Sequence, residues 1–176
     1  MRVGGDKKRR SLRLSNFKGY EAVFGDVGID AVYHFKTLGD GAIKTPAGMQ
    51  TPMRLLEIDK DLTDIIKKYK PDQMAVEELF WNTNQTTGIR VAEARGVILC
   101  RAQKEGVVIN EYTPLQVKQS VVGYGRAEKK QVITMVTMLL NLPSPPKPDD
   151  TADALAIAIC HAHTGGSRLS KYYNIK

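Results

Sequence analysis

The stretch PDDTADALAIAICHA, residues 148–162, places two aspartates at the start of a long apolar run. Asp150 and Asp153 are three residues apart, so a helix would carry both carboxylates on one face. The residues expected to bury that helix against a core are Ala154, Leu155, Ile157, Ala158 and Ile159. Such a carboxylate pair suits a hard divalent cation. It also suits a simple helix start, with Asp150 as the cap and Asp153 near the positive end of the helix dipole.

A further acid follows a short apolar stretch in QMAVEELFWN, residues 73–82. The apolar run from Met74 to Val76 predicts a buried strand, and Glu77 stands where that strand ends. An acid at this point projects from the edge of a sheet, where ligands tend to bind. We expect Glu78 to face the other side. A solvated acid at a strand end is the ordinary alternative for Glu77.

Along the chain, apolar residues recur alternately at strand and helix periods, which predicts an α/β domain. The predicted elements are a strand pair at 34–45, helices at 52–69 and 85–104, strands at 73–80 and 107–113, helices at 114–122 and 127–142, and a last helix that begins at Asp150. The segment PSPPKP, residues 143–148, predicts a rigid, extended linker that leads into the last helix.

Composition indicates one soluble domain, because 176 residues with 42% hydrophobic content can bury a full core without disulfides. Cys100 and Cys160 lie in apolar helical patterns, so we expect two buried thiols and a reducing, cytoplasmic location. The longest apolar run, residues 154–160, is far shorter than the roughly 20 residues that span a membrane. The basic KKRR at 7–10 precedes no apolar stretch, so we expect no signal peptide.

The net charge of +7 is concentrated at one end of the chain. Residues 1–18 contain seven basic residues and one acid, so six of the seven net positive charges lie there. Such an arm could bind phosphates, although a solvated tail is the commoner role. The basic cluster within the body of the chain consists of Lys118, Arg126, Lys129 and Lys130.

Zinc is a further possibility for the end of the last helix, where Cys160, His161 and His163 follow one another closely. Residues two apart on a helix face different directions, so a closed tetrahedral site is not expected. We interpret the two histidines as partly buried or surface residues.

Four motifs in a fixed order resemble the RuvC family of bacterial Holliday junction resolvases over residues 35–163. They are AVEELF at 75–80, EARGV at 93–97, QVKQSVVGYGRAEKKQV at 116–132 and DDTADALAIAICHAH at 149–163. The resemblance implies an RNase H-like α/β fold, with a mixed central sheet flanked by helices, in a homodimer. It implies an endonuclease that uses two magnesium ions per active site, replaceable by manganese, to nick two opposite strands of a four-way DNA junction. The implied protein partners are the RuvA and RuvB branch-migration proteins.

The resemblance also assigns roles to single residues. The positions that match the family's catalytic, metal-binding acids are Glu77, Asp150 and Asp153. Lys118 and Lys129 match lysines near the scissile phosphate, where a fixed cation stabilises developing charge; otherwise they would be ordinary solvated lysines. Phe80 matches an aromatic residue that stacks on DNA at the junction, and without the resemblance it would be assigned to the edge of the core.

The N-terminal segment departs from the family, which opens with a strand ending in GIDPG whose aspartate is the fourth acid. Here MRVGGDKKRR places Asp6 near that position, with KK in place of PG. Spacing counted back from Gly39 points instead to Phe17, where no acid stands. Asp30 in VGIDAV copies GID but leaves no room for the second strand. The fourth acid is therefore Asp6, Asp30 or absent, and a gene-model error, a frameshift or a deliberate alteration of residues 1–34 would explain the departure.

Two classes of function follow for the chain. The first is an active, metal-dependent junction endonuclease of DNA recombination and repair. The second is a junction-binding protein of the same fold with impaired cleavage, and an RNase H-like nuclease acting on RNA is a weaker third. The segments expected are an atypical stretch at 1–34 that should contain the first strands, a nuclease domain at 35–163 and a basic C-terminal tail at 164–176.

Overall fold

The computed structural model describes the backbone of residues 10–18, 21–29, 35–79 and 85–166, and the side chains at 37–38, 40–79 and 88–164. Over these residues the chain alternates strands and helices. The elements are β1 (Arg10–Lys18), β2 (Glu21–Ile29), β3 (Phe35–Lys44), α1 (Thr51–Tyr69), β4 (Gln73–Glu77), α2 (Gln85–Lys104), β5 (Val108–Tyr112), α3 (Pro114–Val122), α4 (Lys129–Leu139) and α5 (Asp149–Gly166).

The described strands form one mixed sheet in the order β3-β2-β1-β4-β5. β1, β2 and β3 pair in antiparallel fashion, whereas β4 lies parallel to β1 and β5 lies parallel to β4. The sheet therefore combines an antiparallel half, which short turns can connect, with a parallel half that needs helical crossovers. The carboxyl ends of β1, β4 and β5 consequently meet at one edge.

The strand pair expected at 34–45 is wrong, because this stretch forms the single strand β3. Gly39 and Gly41 do not break it; they pair with Asp26 and Phe24 of β2. The pairing of β2 with β3 has an irregularity next to Asp26, where an extra residue is accommodated without ending the strand. The partner strand of β3 thus comes from the N-terminal segment.

β4 runs between two hydrophobic layers. On one face, Met74 and Val76 pack against the layer of α1 and α2, whose buried residues include Ile58, Leu62, Ile66, Ala94 and Ile98. On the other face, Ala75 packs against α4 and α5 through residues that include Val136, Leu155 and Ile159. Because successive side chains of a strand point to opposite faces, Glu77 shares the face of Ala75 and lies toward α4 and α5.

The α2 helix presents one face to the core and the other to solvent. Ala94, Ile98 and Ala102, spaced four residues apart, are buried against the sheet. Cys100 lies on a different side of the helix and is exposed, so the expectation of a buried thiol is wrong at this position. Cys160 is buried as expected.

The last helix, α5, begins at Asp149, one residue before the predicted start. Its first turn is closed by a hydrogen bond of 2.8 Å in which the Thr151 amide donates to the Pro148 carbonyl. Almost all of its residues from Ala152 to Ala162 are buried, so α5 is the central helix of its layer. Within the described residues, no helix is both long and apolar enough to cross a membrane.

Candidate active site

Glu77 is the last residue of β4 and stands beside Tyr112, the last residue of β5. Tyr112 extends this pairing, because its carbonyl accepts a hydrogen bond of 2.9 Å from the Glu78 amide. Burial removes water from the Glu77 carboxyl and, together with the nearby charge of Asp153, raises its pKa, although Lys118 lowers it in part. The sequence-based placement of Glu77 at the edge of the sheet therefore agrees with the structure.

Asp150 and Asp153 lie in the first turns of α5 and point to the same side. The shared target is the ammonium group of Lys129, whose Nζ is 2.6 Å from Asp150 Oδ1 and 3.0 Å from Asp153 Oδ2. The expectation that both carboxylates occupy one helix face is confirmed by this shared contact. Asp150 is buried and Asp153 is partly exposed, so the inner carboxylate depends more strongly on a cationic partner.

Lys129 is the first residue of α4, where a capping box fixes the backbone. The Glu128 amide donates a 2.8 Å hydrogen bond to the Gln131 side chain, and the Glu128 carbonyl accepts a 3.0 Å hydrogen bond from the Gln131 amide. Partial burial of Lys129 disfavours its charge, but the hydrogen bonds to Asp150 and Asp153 outweigh that effect and raise the pKa of its ammonium group. Sequence reasoning placed Lys129 near the scissile phosphate and missed its contact with the two aspartates.

A cleft of about 250 Å³ gathers most of the proposed residues. Its polar lining consists of Glu77, Lys118, Lys129 and Asp153, and its apolar lining consists of Pro114, Val117, Val132, Ala156 and Ile157. Lys118 comes from α3, which starts with a capping box at Thr113. Asp150 lies behind this lining and joins it through Lys129. Residues from β4, α3, α4 and α5 thus meet at the edge where the parallel strands end.

The donor atoms of this site are carboxylate oxygens. Among the residues that the structure describes, no three His, Cys, Asp or Glu side chains already stand in a metal-binding arrangement. The Lys129 ammonium instead occupies the space between Asp150 and Asp153, where it acts as a stand-in cation. Carboxylate oxygens are hard donors, so a divalent ion such as Mg²⁺ or Mn²⁺ fits the same position.

The edge beside Glu77 is formed by β1, which pairs with β4 as far as Leu14 and Val76. Extending this register by one residue would bring Ser15 opposite Glu77. β1 spans RSLRLSNFK and contains no Asp or Glu, so the described strand next to Glu77 contributes no acid. Asp6 and Asp30, the two candidates for a fourth acid, lie outside the described residues, and so does Phe80.

Comparison with known proteins identifies the family that this chain resembles. Residues 21–161 match the family model "Crossover junction endodeoxyribonuclease RuvC". The RuvC of Alkaliphilus metalliredigens is 60% identical over 131 residues, which are 74% of this chain and 80% of the relative. The RuvC of Syntrophomonas wolfei is 54% identical over 137 residues, 78% of each chain.

A solved structure of a RuvC protein also matches this chain. Thermus thermophilus RuvC in complex with a Holliday junction substrate matches with a TM-score of 0.81 and 30% identity, over 88% of this chain and 93% of that chain. The yeast mitochondrial resolvase Ydc2 shares the fold alone, with a TM-score of 0.65 and 12% identity. These neighbours confirm the expected RNase H-like fold. The family match begins at Glu21, the first residue of β2, and therefore leaves β1 out. From its fold, its cleft and these matches, the chain belongs to the RuvC family of crossover junction endodeoxyribonucleases.

Proposed function

We propose that this chain recognises four-way DNA junctions and nicks two opposite strands by metal-dependent hydrolysis, in recombination and repair. The observation that carries the proposal is the cleft in which Glu77, Asp153, Lys118 and Lys129 meet, with Asp150 joined to it through Lys129. Carboxylates beside cationic side chains are the groups that phosphodiester hydrolysis requires, because the reaction develops negative charge on phosphate oxygens. The solved relative with a Holliday junction substrate supports the choice of DNA.

RuvC proteins are metal-dependent nucleases, and we assign Mg²⁺ to this site, with Mn²⁺ as a substitute. Glu77, Asp150 and Asp153 would hold it. When bound, the ions supply activation of water and neutralisation of phosphate charge, for which the resemblance implies two per site. The three acids named here would supply carboxylate ligands for one ion. A second ion needs a further ligand, which β1 does not supply.

The lysines act on the substrate. Lys118 and Lys129 both line the cleft and can contact non-bridging oxygens of the scissile phosphate. Lys129 has a flexible four-carbon stem, so once Asp150 and Asp153 are neutralised its ammonium becomes available to a phosphate. The apolar lining from Val117, Val132 and Ile157 limits the water around these charges and so strengthens their electrostatic interactions.

Paired nicks require two active sites, so we infer a homodimer that joins through α2, the helix implied by the resemblance. The outer surface of α2 supports this choice because Ile89 is 56% exposed and Cys100 is also exposed. Two copies related by a twofold axis would bury this surface against itself. We further propose that Phe80 stacks on a junction base, that RuvA and RuvB are partners, and that the protein acts in the cytoplasm.

A second candidate function is a junction-binding protein with impaired cleavage. The absence of Asp and Glu from β1 favours it, because this strand pairs with β4 up to Val76, the residue before Glu77. The groups that bind DNA do not depend on a fourth acid: Lys118, Arg126, Lys129 and Lys130 remain. Specific binding would then persist while hydrolysis becomes slow.

One assay separates these functions. A synthetic four-way DNA junction and a duplex of the same sequence are incubated with the protein in Mg²⁺ and in chelator, and both binding and nicking are measured. Symmetric, Mg²⁺-dependent nicks that Asp150→Asn abolishes would support the endonuclease. Junction-specific binding without nicks would support the second candidate. Equal affinity for junction and duplex would refute both, and cleavage of an RNA–DNA hybrid alone would favour the RNA-directed alternative.

A further inference from the structure

A hydrogen-bonded chain of three side chains connects α5 to β4 and β5 on the buried face of the sheet. The Tyr112 hydroxyl donates to Nδ1 of His161 over 2.7 Å, and Nε2 of His161 donates to Oε1 of Gln73. His161 and Tyr112 are buried, and their rings meet edge to face with centroids 5.7 Å apart. Both ring nitrogens of His161 are therefore satisfied by groups on two different strands.

The spacing of this chain matches the spacing of the acids. Gln73 and Glu77 are the first and last residues of β4, about 13 Å apart at 3.3 Å per residue. Asp153 and His161 are eight residues apart on α5, about 12 Å at 1.5 Å per residue. α5 and β4 run in opposite directions, so the contact between His161 and Gln73 at one end places Asp153 opposite Glu77 at the other end.

Tyr112 ties the same network to the catalytic end of the sheet. It pairs with Glu77 in the register of β4 and β5, and its carbonyl accepts from the Glu78 amide. The side chain of Tyr112 then reaches back to His161. The network is thus attached to both ends of β4.

Apolar packing alone would hold the position of α5 along β4 less firmly than packing combined with these hydrogen bonds. The core-facing residues of α5 alternate alanine with Leu155, Ile157 and Ile159, and apolar contact is not directional. A shift of one residue along the helix moves its carboxylates by about 1.5 Å. Hydrogen bonds weaken steeply with misalignment, so the two bonds of His161 oppose such a shift.

We propose that His161 is a positioning residue that, through Gln73 and Tyr112, sets the position of α5 along β4 and thereby the separation of Asp153 from Glu77. This inference rests on the proposed function, because it assigns to the network the assembly of the metal-binding acids. His161 itself lies about 12 Å from Asp153 along the helix, and its ring nitrogens bond Tyr112 and Gln73.

The experiment measures Mn²⁺ affinity of the DNA-free protein by calorimetry, with thermal unfolding of each variant. Gln73→Leu removes the acceptor of His161, and His161→Asn keeps a polar atom near Tyr112 but does not reach Gln73. We expect each to bind Mn²⁺ about tenfold more weakly, as is typical when a group that orients metal ligands is lost. Gln73→Glu and His161→Gln retain a partner at the same reach and should bind within about twofold of the parental chain.

Ile98→Val is the control, because it shortens a fully buried side chain in the opposite layer and lowers stability without touching the network. It should bind Mn²⁺ as the parental chain does. Unchanged affinity in both Gln73→Leu and His161→Asn would overturn this inference and leave the proposed function intact. An equal loss of Mn²⁺ affinity in Ile98→Val would also overturn it, because general destabilisation would then explain the weaker binding. Failure of the parental chain to bind Mn²⁺ would refute the proposed function and this inference with it.

Discussion

Placing an aspartate on β1 should convert this site into a faster nuclease. The position is residue 15, because Leu14 pairs with Val76 and the next residue continues the register to Glu77. Neighbouring strands are about 4.8 Å apart, so Ser15→Asp puts a carboxylate beside Glu77. The matched control is Ser15→Asn, which has the same shape without the charge.

The size of the effect follows from this separation. Two carboxylates about 5 Å apart repel by about 3 kcal/mol at an effective dielectric constant of 20. Without metal, Ser15→Asp should therefore lower the free energy of unfolding by up to that amount, and Ser15→Asn should not. Mg²⁺ should reverse the loss, because a cation bound between the acids replaces repulsion with attraction. A second bound ion should raise the cleavage rate at least about a hundredfold, which corresponds to about 2.7 kcal/mol.

The assay is single-turnover cleavage of a synthetic four-way junction, together with thermal unfolding in chelator and in Mg²⁺. If Ser15→Asp cleaves no faster than Ser15→Asn and Mg²⁺ does not restore its stability, residue 15 does not border the metal site. If the parental chain already cleaves as fast as a version whose residues 1–34 are replaced by a family-like strand pair, then the parental active site is not missing a fourth acid. Loss of that activity in Asp6→Asn would then identify Asp6 as the fourth acid.

Four further predictions concern groups that the structure places in or near the cleft. Asp150→Asn should abolish Mg²⁺ or Mn²⁺ binding in calorimetry while circular dichroism shows an intact fold, and unchanged binding would contradict the site. Lys118→Ala and Lys129→Ala should each reduce cleavage more than junction binding, because each removes one phosphate contact among many but a larger share of transition-state charge stabilisation; parental rates in both would exclude the roles assigned. Sedimentation should show a dimer through α2, and a monomer at high micromolar concentration with and without DNA would argue against it. Burial raises the pKa of Glu77, so its ionisation lowers the stability of the folded protein as the pH rises from the ordinary value of 4.5 through the raised pKa. Glu77→Gln should therefore raise the melting temperature of the metal-free protein at pH 7 but not at pH 4. An unchanged melting temperature at both pH values would refute this.

The acids on α5 and β4 were predictable because their placement is local. Asp150 and Asp153 share a helix face through their spacing alone, and the apolar run behind them identifies the helix. Glu77 ends a short apolar strand, and such ends meet at the ligand-binding edge of a parallel sheet. The order of these motifs was also sufficient to indicate the family. Neither the placement of the acids nor the family resemblance required a contact between residues distant in the sequence.

Positions on β1 were not predictable by counting residues. Spacing back from Gly39 pointed to Phe17, whereas the register of β1 with β4 ends at the pair Leu14 and Val76, so that one further residue along β1 leads to Ser15. Counting assumes regular pairing, but the β1–β2 ladder is irregular between Ser15 and Lys18 and the β2–β3 ladder is irregular next to Asp26. Each irregularity changes the count without ending a strand.

The sequence by itself determined the fold class, the family and the positions of Glu77, Asp150 and Asp153 on a strand end and a helix start, since short-range periodicity and motif order specify them. Only the tertiary structure decided which groups those acids meet. Lys129 lies 21 residues before Asp150, and their contact exists because α4 packs beside α5. His161 is separated from Gln73 by 88 residues, and its neighbours along the helix gave no sign of a partner on β4. Such contacts depend on how whole elements pack, because a side chain's sequence neighbours do not specify the strand or helix that will cover it.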